Sequence, residues 1–514
     1  MHNCKTTYNR STITLLNALS AIGLTFVNGI LGIVVTRMVI GQYGSDFNGL
    51  NSTANQIVNV LLVIEGGFTL ASNVALFSPL TNKDYRTVNR ILSVTRRKFK
   101  QIGILFLCAG LAISAAYTIA VNSHLPPELI FTVMLMTVIP SAFNLYYATT
   151  YRVLLQTEQR EYVINFITMF TIGLGHGANI VLILLDGSVW MVRFLTMLAA
   201  LLNSLMIAGY VRKTSRFISL DDGRNGEVIR GTRDVLIQRI TGMVYNSAPI
   251  VFLSISPSGG TVLASVYAVY NSVFNMVKSL LRSVIDAPRL GIGQMLTEEK
   301  KEKVWEVFVQ YEYVAFLSIF VAVTTAFVLI LPFISIYMEG VADADYYDAR
   351  IAVLMTLIAV FEMIHIPSGH LINMAGEFKV SKNIQAFSCA VLIVSMAAGG
   401  LLWGVYGLLE AVLLVAVLLA VLEMGYVHTK YFPGHIKDLF RLILPLAAAG
   451  AAACFFEKQI FGQIGGILDF IIAGTILAAV NTVLAVLVAA VSAKKELTAI
   501  VHRGLGLMKK FKAI

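Results

Sequence analysis

Residues 12–36 read TITLLNALSAIGLTFVNGILGIVVT, a run without one charged side chain. A membrane span needs about 20 apolar residues. This run continues to about Gly41, roughly twice the apolar core of a secretory leader, so Lys5 and Arg10 are expected to precede a first transmembrane helix that is retained.

The same ruler, carried outward, finds further stretches near 48–80, 101–121, 128–151, 161–185, 189–211, 236–256 and 261–295. Others fall near 307–332, 350–376, 383–404, 406–428, 441–456 and 468–492, giving about 14 candidate transmembrane helices. Composition agrees: 57% of the 514 residues are apolar and 13% charged, about half the charged share of a soluble domain. The fold class expected is an all-α integral membrane protein, with no room for a separate catalytic domain.

The net charge of +10 sits in short connections, where it sets topology and does not read as a nucleic-acid surface. Lys83, Arg86, Arg90, Arg96, Arg97, Lys98 and Lys100 crowd one connection, while the one around Tyr43–Asp46 has no basic residue. The crowded side also collects Arg152, Arg160, the segment 212–233, Lys300–Lys303, Lys379, Lys382, Lys430, Lys437 and the tail after Lys494. That side is expected to be cytoplasmic and to hold both termini of a multi-pass cell-membrane protein, which requires an even number of spans, 14 or 12. Cys4, Cys108, Cys389 and Cys454 are scattered, with no metal-like spacing.

A weak internal repeat at an offset of 216 residues pairs Gly44 with Gly260, Asn55 with Asn271, Asn59 with Asn275, Ala71 with Ala287 and Leu80-Thr81 with Leu296-Thr297. Six spans separate the matched segments, so the halves share one orientation. The expected organisation is a six-helix bundle over residues 1–218 and a second, parallel one over 219–436. The two are expected to surround a central cavity, with two additional helices and a basic tail over 437–514.

An ionisable residue inside a span costs about 2.5–3.5 kcal/mol on insertion scales. Lys278, Arg282, Asp286 and Arg289 recur at helical spacing as a basic stripe suited to phosphate or pyrophosphate, for which guanidinium offers paired donors. The competing reading is internal neutralisation of Arg282 by Asp286 and snorkelling of Arg289. Asn55, Asn59, Asn271 and Asn275 suit sugar hydroxyls in a wet cavity or, equally, interhelical hydrogen bonding. Glu65, before Gly66-Gly67, is the acidic candidate for ion coupling or for a buried pair. Arg37 and Arg193 lie near helix ends, where they form an anion vestibule or simply snorkel. Glu362, His365 and His370 flank Pro367, but i, i+5 histidines do not share a helical face, so polar lining or buried pairing outranks a metal. Glu410 and Glu423 read as bundle residues. No GxxxxGK[ST], HExxH or GxSxG motif occurs, so no cofactor, metal or enzymatic activity is expected.

The run from Arg37 through Gly41-Gln42-Tyr43-Gly44, Phe47-Asn48-Gly49-Leu50-Asn51, Glu65-Gly66-Gly67, Pro79-Leu80 and Asp84-Tyr85 resembles the opening of the polysaccharide exporter family. These are the lipid-linked oligosaccharide flippases of the multidrug/oligosaccharidyl-lipid/polysaccharide (MOP) superfamily. The resemblance covers roughly the first hundred residues and rests on a first helix ending in arginine, a Gly-rich turn and an acidic-x-Gly element. It implies two six-helix bundles with two further helices, alternating access, and export of undecaprenyl-pyrophosphate-linked repeat units for surface polysaccharide biosynthesis. The implied partners are that polyprenyl-pyrophosphate-linked sugar substrate, membrane lipids and polysaccharide-assembly enzymes. Lipid II flippases of the same superfamily usually carry arginines in the first helix, and residues 12–36 have none. A multidrug antiporter would line its cavity with acidic and aromatic residues.

Overall fold

The computed structural model describes residues 10–215, 217–219, 233–257, 259–462 and 464–512. Cys4, Lys5 and most of the basic segment between 220 and 232 lie outside the described residues. Every regular element among those described is helical. The chain divides into two compact units, Met1–Ser265 and Val266–Ile514.

The N-terminal unit begins with α1, Arg10–Thr81. At 1.5 Å per residue a straight helix of this length would run about 100 Å, more than three hydrocarbon thicknesses. It is instead two helices joined at Gly44 (φ 86°, ψ 166°), a conformation open only to glycine. The helices α2 (Tyr85–Ala120), α3 (Pro127–Phe143), α4 (Thr149–Thr157), α5 (Glu161–Leu184), α6 (Val189–Thr214) and α7 (Arg233–Ile255) follow. Asp84 caps α2, accepting from the Thr87 amide at 3.1 Å. A π-helical turn, Asn144–Ala148, joins α3 to α4 just after Pro140.

The Gly-rich opening owes its composition to packing. Tyr43 donates to the Gly187 carbonyl at 2.7 Å and Gln42 to Asp186 at 3.1 Å, fixing the break in α1 against the turn between α5 and α6. The Asp46 carboxylate accepts from the Ser123 hydroxyl at 2.7 Å, the His124 amide at 2.9 Å and the Thr261 hydroxyl. Asn48 donates to Ser265 at 2.7 Å, and a Cβ on Gly49 would run into the Thr261 carbonyl. The matched glycine Gly260 also has positive φ, 71°, where α8 (Gly260–Asp286) begins.

The C-terminal unit holds the rest of α8 and α9 (Arg289–Glu298), α10 (Lys301–Tyr337), α11 (Ala349–Ile364), α12 (Ile366–Met374), α13 (Phe378–Tyr426), α14 (Ile436–Phe461), α15 (Ile467–Ser492) and α16 (Lys494–Lys512). α10 packs against α11, α14 and α15. α13 is again two helices, broken at Gly404 (φ 60°), and Gly399 and Gly407 meet across the break too closely for any side chain. On α15 a buried row of Ala473, Leu477, Asn481, Ala485 and Ala489 permits close helix approach, with Asn481 donating to Thr325 and Glu457 at 3.2 Å.

Among the described residues, eleven helices are long and apolar enough to cross a membrane. Exposed apolar stripes, such as Leu19, Ile22, Phe26 and Ile30 on α1, far exceed what water tolerates, and the protein is a multi-pass membrane protein. All fourteen stretches found in the sequence fall on helix, but Leu16–Val63 runs through two of them and α7 and α8 are not among the eleven. The stretch 261–295 is not one helix. It breaks after Asp286 at Ala287-Pro288, so Arg289 opens α9 and is not part of a continuous stripe with Lys278 and Arg282.

Candidate functional site

A cavity of about 620 Å³, partly open, lies within the N-terminal unit, lined by both halves of α1 and by α3, α4, α5 and α6. Its lining is amide- and hydroxyl-rich: Asn48, Asn51, Asn55, Asn59, Asn144, Asn179 and Asn203, with Thr137, Thr168, Thr171, Thr196 and Ser204. Four ionisable groups join them, Glu65, Arg152, His176 and Arg193. Asn51, Asn55 and Asn59 recur every fourth residue, so one face of α1 supplies the amide row.

Two arginines hold opposite parts of the wall. Arg152 donates to the Asn203 amide oxygen at 2.6 Å, while Asn203 in turn donates to Thr171 at 2.9 Å and Thr168 at 3.1 Å. Glu65 is near enough to Arg152 for their charges to interact, and accepts from the Thr69 hydroxyl at 3.4 Å. Arg193 is 6% exposed and donates to Asn51 on α1 and to Thr137 on α3, the latter at 2.5 Å. Its burial corrects the snorkelling expectation: the side chain goes inward and ties α6 to two neighbours. Four buried polar atoms of the lining make no hydrogen bond: Arg152 Nε, His176 Nδ1, Asn179 Oδ1 and Arg193 Nε.

Of the residues singled out from sequence, Asn55, Asn59, Glu65 and Arg193 line this cavity. Arg37 is half-buried on α1 between the lining residues Thr36 and Val39, its Nη1 3.0 Å from where a Cβ on Gly41 would stand. Asn271 is half-buried and Asn275 exposed on α8.

In the C-terminal unit, Lys278 is buried in an ion pair with Glu362 at 2.8 Å. Arg282 is exposed, with no partner among the described residues, and Arg289 is half-buried with its Nε unpaired. The histidines go to different carboxylates: His365 Nδ1 lies 2.8 Å from Glu423 and His370 Nε2 3.2 Å from Asp286, while His370 Nδ1 is 3.0 Å from the Tyr311 hydroxyl. A further pair is legible only in three dimensions. His428 Nε2 lies 3.1 Å from Glu312 and its Nδ1 2.9 Å from the Met424 carbonyl, so the ring and carboxylate hold a proton between them in complete burial. No group of three metal-ligating side chains occurs among the described residues.

The helices and their breaks define an all-helical multi-pass membrane protein, whose fold is similar to that of solved transporters of the MOP superfamily. An inward-facing multidrug resistance MATE family transporter of that superfamily aligns with a TM-score of 0.62 at 14% identity, over 80% of this chain and 97% of the transporter. The lipid II flippase MurJ in an inward closed conformation aligns at 0.63 and 12% identity, over 90% of this chain and 98% of MurJ. An outward-facing MATE family transporter gives 0.55 at 15% identity, over 80% and 94%. No protein-family model matches the sequence, and a search of curated proteins finds no relative. At these identities the likeness establishes the fold.

Proposed function

We propose that the chain is a flippase that moves undecaprenyl-pyrophosphate-linked oligosaccharide units across the cell membrane by alternating access, for surface polysaccharide biosynthesis. Its fourteen spans would be two parallel six-helix bundles, residues 1–218 and 219–436, with two helices and a tail after 437, and both termini would be cytoplasmic. The observation that carries the reading is the cavity wall: an amide row with two arginines suits sugar hydroxyls and phosphate oxygens, and disfavours an organic cation. The fold shared with MurJ, a lipid II flippase, supports a lipid-linked substrate.

The residues assigned to this substrate are Asn55 and Asn59 for the sugars, Arg282 and Arg289 for the pyrophosphate, and Arg37, Asn271 and Asn275 as further polar contacts. Lys278 carries a charge already matched by Glu362, which makes Arg282 the stronger handle of the two. Glu65 beside Arg152 is the site proposed for ion coupling. A negative-inside potential favours outward movement of an anion by about 2.3 kcal/mol per charge per 100 mV. Assembly enzymes for the polysaccharide are the partners proposed.

The test is mass spectrometry of lipid-linked precursors, with their sidedness, in cells depleted of the protein and in cells carrying Arg282→Gln or Asn55→Ala with Asn59→Ala. Accumulation of one complete oligosaccharide precursor on the cytoplasmic face supports the reading, and accumulation of lipid II instead moves it to the peptidoglycan precursor. Normal precursor levels and intact surface polysaccharide after depletion would refute both.

A further inference from the structure

We propose that the cavity of the N-terminal unit is a binding site for a phosphate-class oxyanion, held on the guanidinium of Arg193. The inference starts from a charge without a counter-charge. Arg193 is 6% exposed, and its partners among the described residues are the neutral oxygens of Asn51 and Thr137. The acidic residue of the lining, Glu65, is displaced from Asn51 by roughly 20 Å of helix rise and lies near Arg152. A buried guanidinium with no anion near it is strongly disfavoured, and the site is completed by a ligand of negative charge.

The donors left over choose the kind of anion. Arg193 Nε makes no hydrogen bond, and each Nη carries a second N–H besides the one given to Asn51 or Thr137. The edge that Nε shares with a terminal nitrogen is the fork that takes two oxygens of one phosphate, which a halide cannot match. Within the same lining, Asn179 donates to Thr196 at 2.9 Å and leaves its Oδ1 unsatisfied, an acceptor for a hydroxyl on the ligand. His176 Nδ1 is a further polar atom without a partner. A purely structural clamp of α6 on α1 and α3 accounts for the two Nη bonds but leaves these three atoms unexplained. The volume of about 620 Å³ exceeds a lone phosphate, so both a free anion and the phosphorylated head of a lipid are of the class.

This site is read from one buried charge and does not depend on the transport reading. A flippase that ignored phosphate would fail the following test alone, and a phosphate binder that flipped nothing would pass it. Thermal unfolding of the purified full chain in detergent is followed while inorganic pyrophosphate, or in a second arm farnesyl pyrophosphate, replaces gluconate at constant ionic strength. A saturable rise of a few degrees with either probe is expected, absent in Arg193→Gln and retained in the control Arg86→Gln, an exposed position at the start of α2. A response to both probes identifies a free-anion site, and a response to farnesyl pyrophosphate alone a lipid-head site. No rise in the unaltered protein with either probe, or an equal rise in Arg193→Gln, overturns the proposal. Should Arg193→Gln fail to fold, Arg193→Lys keeps the charge without the fork. Its apparent affinity is expected to fall at least tenfold, and an unchanged affinity overturns the proposal as well.

Discussion

At the scale of single residues, Lys278, Glu423 and Glu312 in the C-terminal unit each meet a partner far away in sequence. Lys278 and Glu362 are both nearly buried at 2.8 Å, so removing either strands the other. Lys278→Gln or Glu362→Gln alone is expected to destabilise by about 3–5 kcal/mol, while the double change recovers most of the loss. Thermal unfolding of the three variants in detergent measures the cycle, and additive losses would remove the pair as a determinant of stability. The sequence marks Lys278 as costly but cannot say whether substrate or protein meets the cost, because the answering carboxylate is on another helix. Arg193 shows the opposite failure. Its position near the start of α6 suggests an easy escape to the membrane surface, and only the packing of Asn51 and Thr137 against it reveals an inward side chain.

At the scale of elements, the apolar runs announce the helices, while their breaks are set by single glycines. Gly44 adopts φ 86° and ψ 166°, and Gly49 stands against the Thr261 carbonyl. Gly44→Ala is expected to lose about 1–3 kcal/mol from backbone strain. Gly49→Ala should lose at least as much from collision with backbone that cannot rotate away. Gly29, with nothing near its Cβ position, serves as the control, and Gly29→Ala should be neutral or gain up to about 1 kcal/mol. Melting temperatures of the three decide the matter, and a uniform response would show that the breaks carry no strain. The motif Phe47-Asn48-Gly49-Leu50-Asn51 was legible as a pattern, but its reason is divided. Asn48 and Gly49 serve packing against the start of α8, and Asn51 serves the cavity. The regular spacing of Lys278, Arg282, Asp286 and Arg289 does not show the break at Ala287-Pro288, after which Arg289 begins a new helix.

At the scale of the whole molecule, the membrane character follows from composition. The number of spans does not, because α7 and α8 carry polar as well as charged residues and fall short on apolarity alone. For α8 the structure supplies the reason: Lys278 and Asp286 find partners within the C-terminal unit. The proposed topology makes a direct prediction at the two ends of α2, whose 36 residues rise about 54 Å. In a background with the native cysteines replaced, Lys83→Cys is expected to react with an impermeant maleimide from the cytoplasmic side alone. His124→Cys should react from the outer side alone. Labelling of both from one side would remove α2 as a span and with it the assignment of the termini.

The clamp made by Arg193 also bears on how the chain is built during synthesis. Its partners Asn51 and Thr137 belong to helices that leave the ribosome before α6, so a guanidinium that lipid would reject arrives at a bilayer already holding its acceptors. Lys278 has no such advantage: Glu362 emerges later, on α11. Through that interval α8 must wait beside the insertion machinery or at the interface, which exposes its insertion to delay.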